Sequence, residues 1–182
     1  DAFVKIMTLG AGHTVSDTIM VLPEDRIAFI GDLGFFQVHP YLVGSNPEKW
    51  VAILDELAAS KLEKFVPGHG PIGSKEDLRA LRSYILTLQG MVAAVANCGG
   101  SEDDAVNQPI PDYAANWAGF GRYEQSMRYL YQWQTNKDLD THFHVDFSRS
   151  LMQEVEAAGY ILDGVEISSP TSYPNAEPPD EK

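Results

Sequence analysis

The sequence predicts an α/β fold, with a mixed or mainly antiparallel sheet that carries helices on one face. Short runs of β-branched and apolar residues near the N-terminus are bounded by glycine or proline, which is typical of strands. Further along the chain, apolar residues recur every three or four positions, which is typical of amphipathic helices. Strands and helices in one chain of this length indicate two layers packed around a common core.

Three strands are predicted near the N-terminus, over residues 3–8, 18–22 and 26–30. The Pro-Glu-Asp sequence at 23–25 forms a tight turn, so the second and third strands pair as an antiparallel hairpin. A brief fourth strand, over residues 64–66, leads into a Pro-Gly-His-Gly turn.

Two helices begin at recognisable capping residues. Asn46 followed by Pro47 predicts the start of a helix that continues to about residue 57. Ser74 and Asp77 form a capping-box pattern that predicts the start of a longer helix. The buried stripe predicted for this longer helix comprises Leu78, Leu81, Ile85, Leu88, Val92 and Val95.

The second half of the chain is less regular. Residues 98–121 lack periodicity and predict a long loop that Tyr113, Trp117 and Phe120 hold against the core. A third helix follows, with its apolar face between Tyr123 and Trp133. A fourth helix over 148–158 and a strand at 160–162 precede a tail that is too polar to form a core.

This pattern divides the chain into three parts: residues 1–135 as an α/β unit, 136–167 as a helix-strand extension, and 168–182 as a disordered, acidic, proline-rich tail. The net charge of -13 argues against nucleic acid or an anionic membrane as a partner, because no basic stripe is present. With Cys98 as its one cysteine, the chain has no intrachain disulfide. No transmembrane run or signal segment is recognised, and the start at Asp1 predicts that something upstream was removed.

Three polar turns follow predicted strands: Gly10–Thr14 with His13, Gly31 with Asp32, and Val66–Gly70 with His69. Loops at strand ends can direct ligands into an open cavity without burying unpaired backbone groups. Imidazole and carboxylate groups suit zinc, iron or manganese. The three turns therefore predict a metal site.

These residues resemble three motifs of the metallo-β-lactamase superfamily, from the second half of its fold. Gly12–Thr14 with Asp17 is similar to the third motif, Gly31–Leu33 to the fourth and Pro67–Gly70 to the fifth. The resemblance implies an αββα sandwich, of which residues 1–135 are mainly the C-terminal αβ half. It also implies a metal-dependent hydrolase acting on a small-molecule substrate.

By this resemblance the site holds one or two zinc ions, with iron or manganese possible. His13 binds one metal, His69 binds the second, and Asp32 bridges the two metals. A carboxylate suits this role because its two oxygens can bind two cations about 3.5–4 Å apart. Such a pair lowers the pKa of a shared water, and the resulting hydroxide attacks an ester, thioester, lactone or amide carbonyl.

The chain departs from the family pattern because only twelve residues precede His13, where the family places a His-X-His-X-Asp-His motif. It is therefore a fragment, one half of a two-chain assembly, or a permuted version. In a permuted version His142 and His144 bind metal and Asp146 orients the attacking water, although Phe147 replaces the last histidine. Alternatively, the two histidines face solvent and balance the acidic residues around them.

Other polar residues have simpler interpretations. His39 is interpreted as a loop histidine before a turn set by Pro40. Thr14 and Asp17 are candidates for orienting His13 through its other ring nitrogen, although Asp17 is equally suited to capping a local turn. The aromatic residues of the second half are predicted to pack in the core; they are Trp117, Tyr123, Tyr131 and Trp133.

Three functional hypotheses follow. The first is a metal-dependent hydrolase, and the second is an iron-dependent thiol oxygenase of the same fold. The third is a non-catalytic or truncated half-domain. Because half of a sandwich exposes an apolar sheet face, we expect a homodimer or a complementary half as the partner.

Overall fold

The computed structural model describes residues 3–136, which contain a four-stranded sheet of mixed direction. Its strands are β1 (Lys5–Gly10), β2 (Asp17–Leu22), β3 (Ile27–Phe35) and β4 (Lys64–His69), and they lie side by side in that order. β1 with β2 and β2 with β3 pair antiparallel, whereas β3 and β4 pair parallel. The predicted α/β class and the β2–β3 hairpin are confirmed.

The helices in this range are α1 (Pro47–Ala59), α2 (Lys75–Asn97), α3 (Glu102–Val106) and α4 (Gly121–Thr135), with a short 3₁₀ turn at Asp112–Ala114. α1 provides the crossover that a parallel pair of strands requires between β3 and β4. This connection matters for the site, because it makes β3 and β4 parallel, so that their C-terminal ends lie at the same edge of the sheet.

The two predicted helix starts are confirmed. The Asn46 side chain accepts a hydrogen bond from the backbone N–H of Lys49 at 3.0 Å. The Asp77 carboxylate accepts from the backbone N–H of Ser74 at 2.8 Å, which completes the capping box of α2. The predicted stripe of α2 is buried, apart from Val95, which is partly buried against the core.

Four local expectations were wrong. β4 does not stop at residue 66 but continues to His69, which is its last residue. β3 does not stop at residue 30 but continues to Phe35, with shifts of register on both sides of Gly31. Asp32 therefore lies inside an irregular strand. The predicted loop contains α3, whose capping box of Ser101 and Asp104 sequence reasoning missed. Phe120 is 70% exposed and does not hold this loop against the core.

The core lies between one face of the sheet and the helices. Its buried side chains from the sheet include Ile19, Ala28, Ile30 and Phe65, and those from α1 and α2 include Trp50, Leu54, Leu81 and Ile85. On the strands these positions alternate with exposed ones, as expected for a sheet covered on one face.

The opposite face of the sheet carries an exposed apolar row. Ile6 pairs with Met20, and Met20 pairs with Phe29, so the three side chains cross β1, β2 and β3. They are 40%, 36% and 37% exposed, respectively. The predicted apolar sheet face is therefore present in residues 3–136.

Several predictions lie outside the described residues. These are the helix at 148–158, the strand at 160–162, the tail from 168, and the segment with His142, His144 and Asp146. The described helices include none that is both long and apolar enough to cross a membrane.

Candidate functional site

The His13 loop joins β1 to β2 and is shaped by the carboxylate of Asp17. This carboxylate accepts hydrogen bonds from the backbone N–H of Gly12 at 2.8 Å and of Thr14 at 3.1 Å. It also accepts from Thr14 Oγ1 at 2.8 Å. Asp17 is 8% exposed, so these bonds offset the cost of burying its charge. Asp17 thus caps the turn, which is one of the two roles considered from the sequence.

The His13 imidazole has no hydrogen-bond partner on either nitrogen within residues 3–136, although both nitrogens are buried. The expectation that Thr14 or Asp17 orients the ring through a nitrogen was therefore wrong. The ring packs against Trp50 and Phe35, with ring centres 5.2 Å and 5.6 Å away. Trp50 is fixed by a hydrogen bond of 3.0 Å from Nε1 to the carbonyl of Leu33.

Burial lowers the pKa of His13 below its ordinary value, and the charges of Asp32 and Asp17 oppose this effect. His69 adds to the lowering. The neutral imidazole, which is the form that binds a metal, is therefore favoured at neutral pH. Buried nitrogens without a partner are also costly, so a ligand that engaged one of them would recover part of that cost.

Asp32 and His69 are in contact. Oδ1 of Asp32 lies 3.5 Å from Nε2 of His69, and their side chains are 46% and 38% exposed. This separation is longer than an ordinary hydrogen bond, so both groups keep lone pairs for another partner. The contact arises because β3 and β4 pair in parallel, with Phe35 in register with His69.

The turn that follows His69, at the end of β4, depends on glycine. Gly70 has a φ of 97°, in the left-handed region that side chains disfavour. A Cβ atom on Gly70 would also lie 2.0 Å from the carbonyl oxygen of Phe36. This close approach accompanies a 3.0 Å hydrogen bond from the N–H of Phe36 to the carbonyl of His69.

The structure thus brings Asp32 and His69 together. It also places His13 near enough for the charges of Asp32 and His69 to affect the pKa of His13. Within residues 3–136, however, no group of three His, Cys, Asp or Glu side chains is arranged to hold a metal ion. The donor types and the unpartnered nitrogens of His13 fit a divalent metal. The three-ligand site itself stays a prediction, as do His142, His144 and Asp146.

His39 is separate from this site. Its side chain is fully buried, with Nδ1 2.7 Å from the hydroxyl of Tyr84, and its ring also lies near those of Trp117 and Tyr123. The expectation of a loop histidine did not foresee this burial. The predicted packing of the four aromatic residues is confirmed, since Tyr123 is buried and the other three pack partly buried against the core.

Sequence reasoning missed the aromatic side chains behind the site. Phe35 packs on both His13 and His69, and Trp50 packs on His13 and Phe35. The sequence showed Trp50 only as an apolar position of the predicted helix α1. Phe35 follows Asp32 closely in the chain, but no sequence pattern showed that its ring contacts both imidazoles.

No family model matches the sequence, and no curated protein matches it. Solved structures similar to this one include VMB-1 and the metallo-β-lactamase DIM-1, each 23% identical over 47% of this chain and 41% of the other, with TM-scores of 0.42 and 0.43. The metallo-β-lactamase from Pontibacter korlensis is 25% identical over 46% of this chain and 41% of that chain, with a TM-score of 0.42. The chain spans less than half the length of these proteins, and the likeness is one of fold over about half of the chain.

Proposed function

We propose that this chain belongs to a metal-dependent hydrolase in which His13, Asp32 and His69 are metal ligands. One observation carries the proposal. The carboxylate of Asp32 and the imidazole of His69 meet at 3.5 Å, beside the His13 ring, whose two nitrogens are buried without a partner. Two imidazoles and one carboxylate are a donor set that zinc prefers, with iron or manganese as alternatives.

A divalent metal bound by such donors polarises a carbonyl and lowers the pKa of water. The protein contributes by keeping these donors accessible and in the protonation state that binds a metal. His13 presents a neutral imidazole because burial lowers its pKa. Asp32 is half-exposed, so its carboxylate would be accessible to a metal ion. Esters, thioesters, lactones and amides are the substrates that suit this chemistry.

Further donors are part of the proposal, because within residues 3–136 His13, Asp32 and His69 are not arranged as a complete metal site. The sequence offers His142 and His144, spaced so that both fall on one side of an extended segment. Asp146 is the residue proposed to orient the attacking water. The exposed row of Ile6, Met20 and Phe29 supports a complementary half or a second copy as partner, which would cover this face.

The second candidate is a non-catalytic half-domain. The incomplete ligand group within residues 3–136 favours it over the iron-dependent oxygenase, which no observation favours. The two candidates differ in one measurable property, since the hydrolase retains metal through His13 and His69 whereas the half-domain does not.

Elemental analysis of protein purified without added metal tests the proposal. The wild type is compared with His13→Ala, His69→Ala and His142→Ala. His39→Asn is the matched control, because asparagine can keep a hydrogen bond near Tyr84 and this residue lies away from the site. We expect near-stoichiometric zinc or iron in the wild type and in the control, with a loss in the His13 and His69 variants.

Loss of metal in His142→Ala would extend the ligand set beyond residue 136. A wild type that is free of metal and does not take up zinc would exclude the hydrolase and leave the half-domain. Equal loss in all variants, including His39→Asn, would show unfolding, and circular dichroism of each variant identifies that case.

A further inference from the structure

Arg122 differs from the other arginines of residues 3–136. Each of the others forms an ion pair with a carboxylate; they are Arg26, Arg79, Arg82 and Arg128. The side chain of Arg122 forms no ion pair or hydrogen bond within this range, although acidic residues outnumber basic ones by 26 to 13 in the chain. Among the arginines of the described part of the chain, Arg122 alone has a guanidinium without a charged partner.

The position of Arg122 connects it with the candidate site. It lies in the first turn of α4, and its Cζ is 5.7 Å from the centre of the Phe35 ring. The same ring lies 4.5 Å from the ring of His69 and 5.6 Å from that of His13. The guanidinium is thus within about 10 Å of the His69 ring, which is one Debye length at ordinary ionic strength.

Two neighbours lie beside this guanidinium. The Phe35 ring contacts it through a cation–π interaction, which involves its charge and does not use its N–H donors. Gly119 lies on another side, where a Cβ atom would be 3.1 Å from Nη1 of Arg122. Arg122 therefore combines a defined position with donors that no group in residues 3–136 uses.

We propose that Arg122 binds the carboxylate or phosphate group of an anionic substrate whose reacting carbonyl lies at Asp32 and His69. This inference rests on the proposed function. A guanidinium is charged at all relevant pH values and matches a carboxylate or phosphate with two parallel hydrogen bonds. The overall charge of -13 repels anions, so a local cation beside the site selects which anions approach it.

A binding measurement tests the anion site without any need for metal or turnover. Isothermal titration calorimetry of the full chain with glutarate and with phenyl phosphate uses wild type, Arg122→Met and Arg79→Met. Arg79 is the matched control, because it lies on the exposed side of α2 and pairs with Glu76. We expect Arg122→Met alone to weaken binding by about tenfold, as for loss of a charged hydrogen bond at a half-exposed position.

The two probes separate a carboxylate site from a phosphate site, and preference for either supports the proposal. A wild type that binds neither anion, or an Arg122→Met variant that binds as well as wild type, would overturn it. Equal weakening in Arg79→Met would show an effect of net charge alone and would also overturn it.

A second measurement links the anion site to hydrolysis. Metal-loaded protein is assayed with para-nitrophenyl butyrate and with the monoanionic para-nitrophenyl glutarate, which share a leaving group. We expect Arg122→Met to raise KM about tenfold for the anionic ester and to leave the neutral ester unchanged. Loss of both activities together contradicts a role in substrate selection. If neither ester is hydrolysed by wild type while anion binding depends on Arg122, the proposed function fails and the anion site stands.

Discussion

Gly68 lies directly against the carboxylate of Asp32, so that a Cβ atom on Gly68 would be 2.0 Å from Oδ1 of Asp32. The same Cβ would lie 3.0 Å from the carbonyl carbon of Gly31. Only a hydrogen atom fits here, and this allows the end of β4, with His69, to lie close to Asp32. The contact between Asp32 and His69 therefore depends on the absence of a side chain at position 68.

Gly68→Ala is expected to displace the Asp32 carboxylate and separate it from His69. We expect zinc affinity to fall about tenfold, because a metal ligand would lose its fixed position, and the free energy of unfolding to fall by about 1–3 kcal/mol. Zinc titration and urea denaturation measure the two effects. Gly90→Ala is the control, because nothing lies within 4 Å of its Cβ position in α2. It should gain about 0.5–1 kcal/mol and bind zinc normally; normal zinc binding by Gly68→Ala would contradict the prediction.

Phe35→Met is expected to weaken zinc binding through the loss of a flat ring that both imidazoles contact. Phe35 stacks on His69 with an interplanar angle of 23°, and methionine keeps the apolar volume but not this plane. Phe36→Met is the matched control, since both phenylalanines are 1% exposed. Both variants should lose about 1–2 kcal/mol of stability. Equal zinc affinities in the two variants would argue against a positioning role for Phe35.

Asp17→Asn is expected to loosen the His13 loop. The amide keeps one acceptor oxygen, whereas the carboxylate uses both oxygens to accept hydrogen bonds from Gly12 and Thr14. Loss of a buried, charge-assisted bond should lower the free energy of unfolding by about 1–3 kcal/mol. Asp104→Asn, in the exposed capping box of α3, should cost about 1 kcal/mol or less. Urea denaturation compares them, and a larger loss in Asp104→Asn would refute this ranking.

His39 is expected to make stability depend on pH. Burial lowers its pKa in the folded state below the ordinary value of 6.5, so the unfolded state binds a proton first as pH falls. Stability is therefore unaffected well above pH 6.5 and decreases as pH falls from there toward the folded-state pKa. Urea denaturation between pH 8 and 5 should show that the free energy of unfolding decreases less steeply in His39→Asn than in wild type. His13 contributes a similar decrease in both proteins, because its pKa is also lowered. An unchanged pH dependence in this variant would show that His39 does not titrate as proposed.

Features encoded by neighbouring residues could be predicted from the sequence. The starts of α1 and α2 were recognised because capping involves residues three positions apart, and the stripe of α2 because helical periodicity is local. The extension of β3 through Gly31 to Phe35 was missed, because an irregular strand is maintained by its pairing with β4. α3 was missed even though Ser101 and Asp104 carried a local signal.

The sequence by itself determined the α/β class, the helix starts and the order along the chain of His13, Asp32 and His69. Only the tertiary structure decided that Asp32 and His69 meet, because the parallel pairing of β3 with β4 aligns segments separated by α1. It also decided that His39 is buried whereas His69 is half-exposed. The physical reason is that burial and charge contact depend on which distant segments pack together, and no local pattern specifies that.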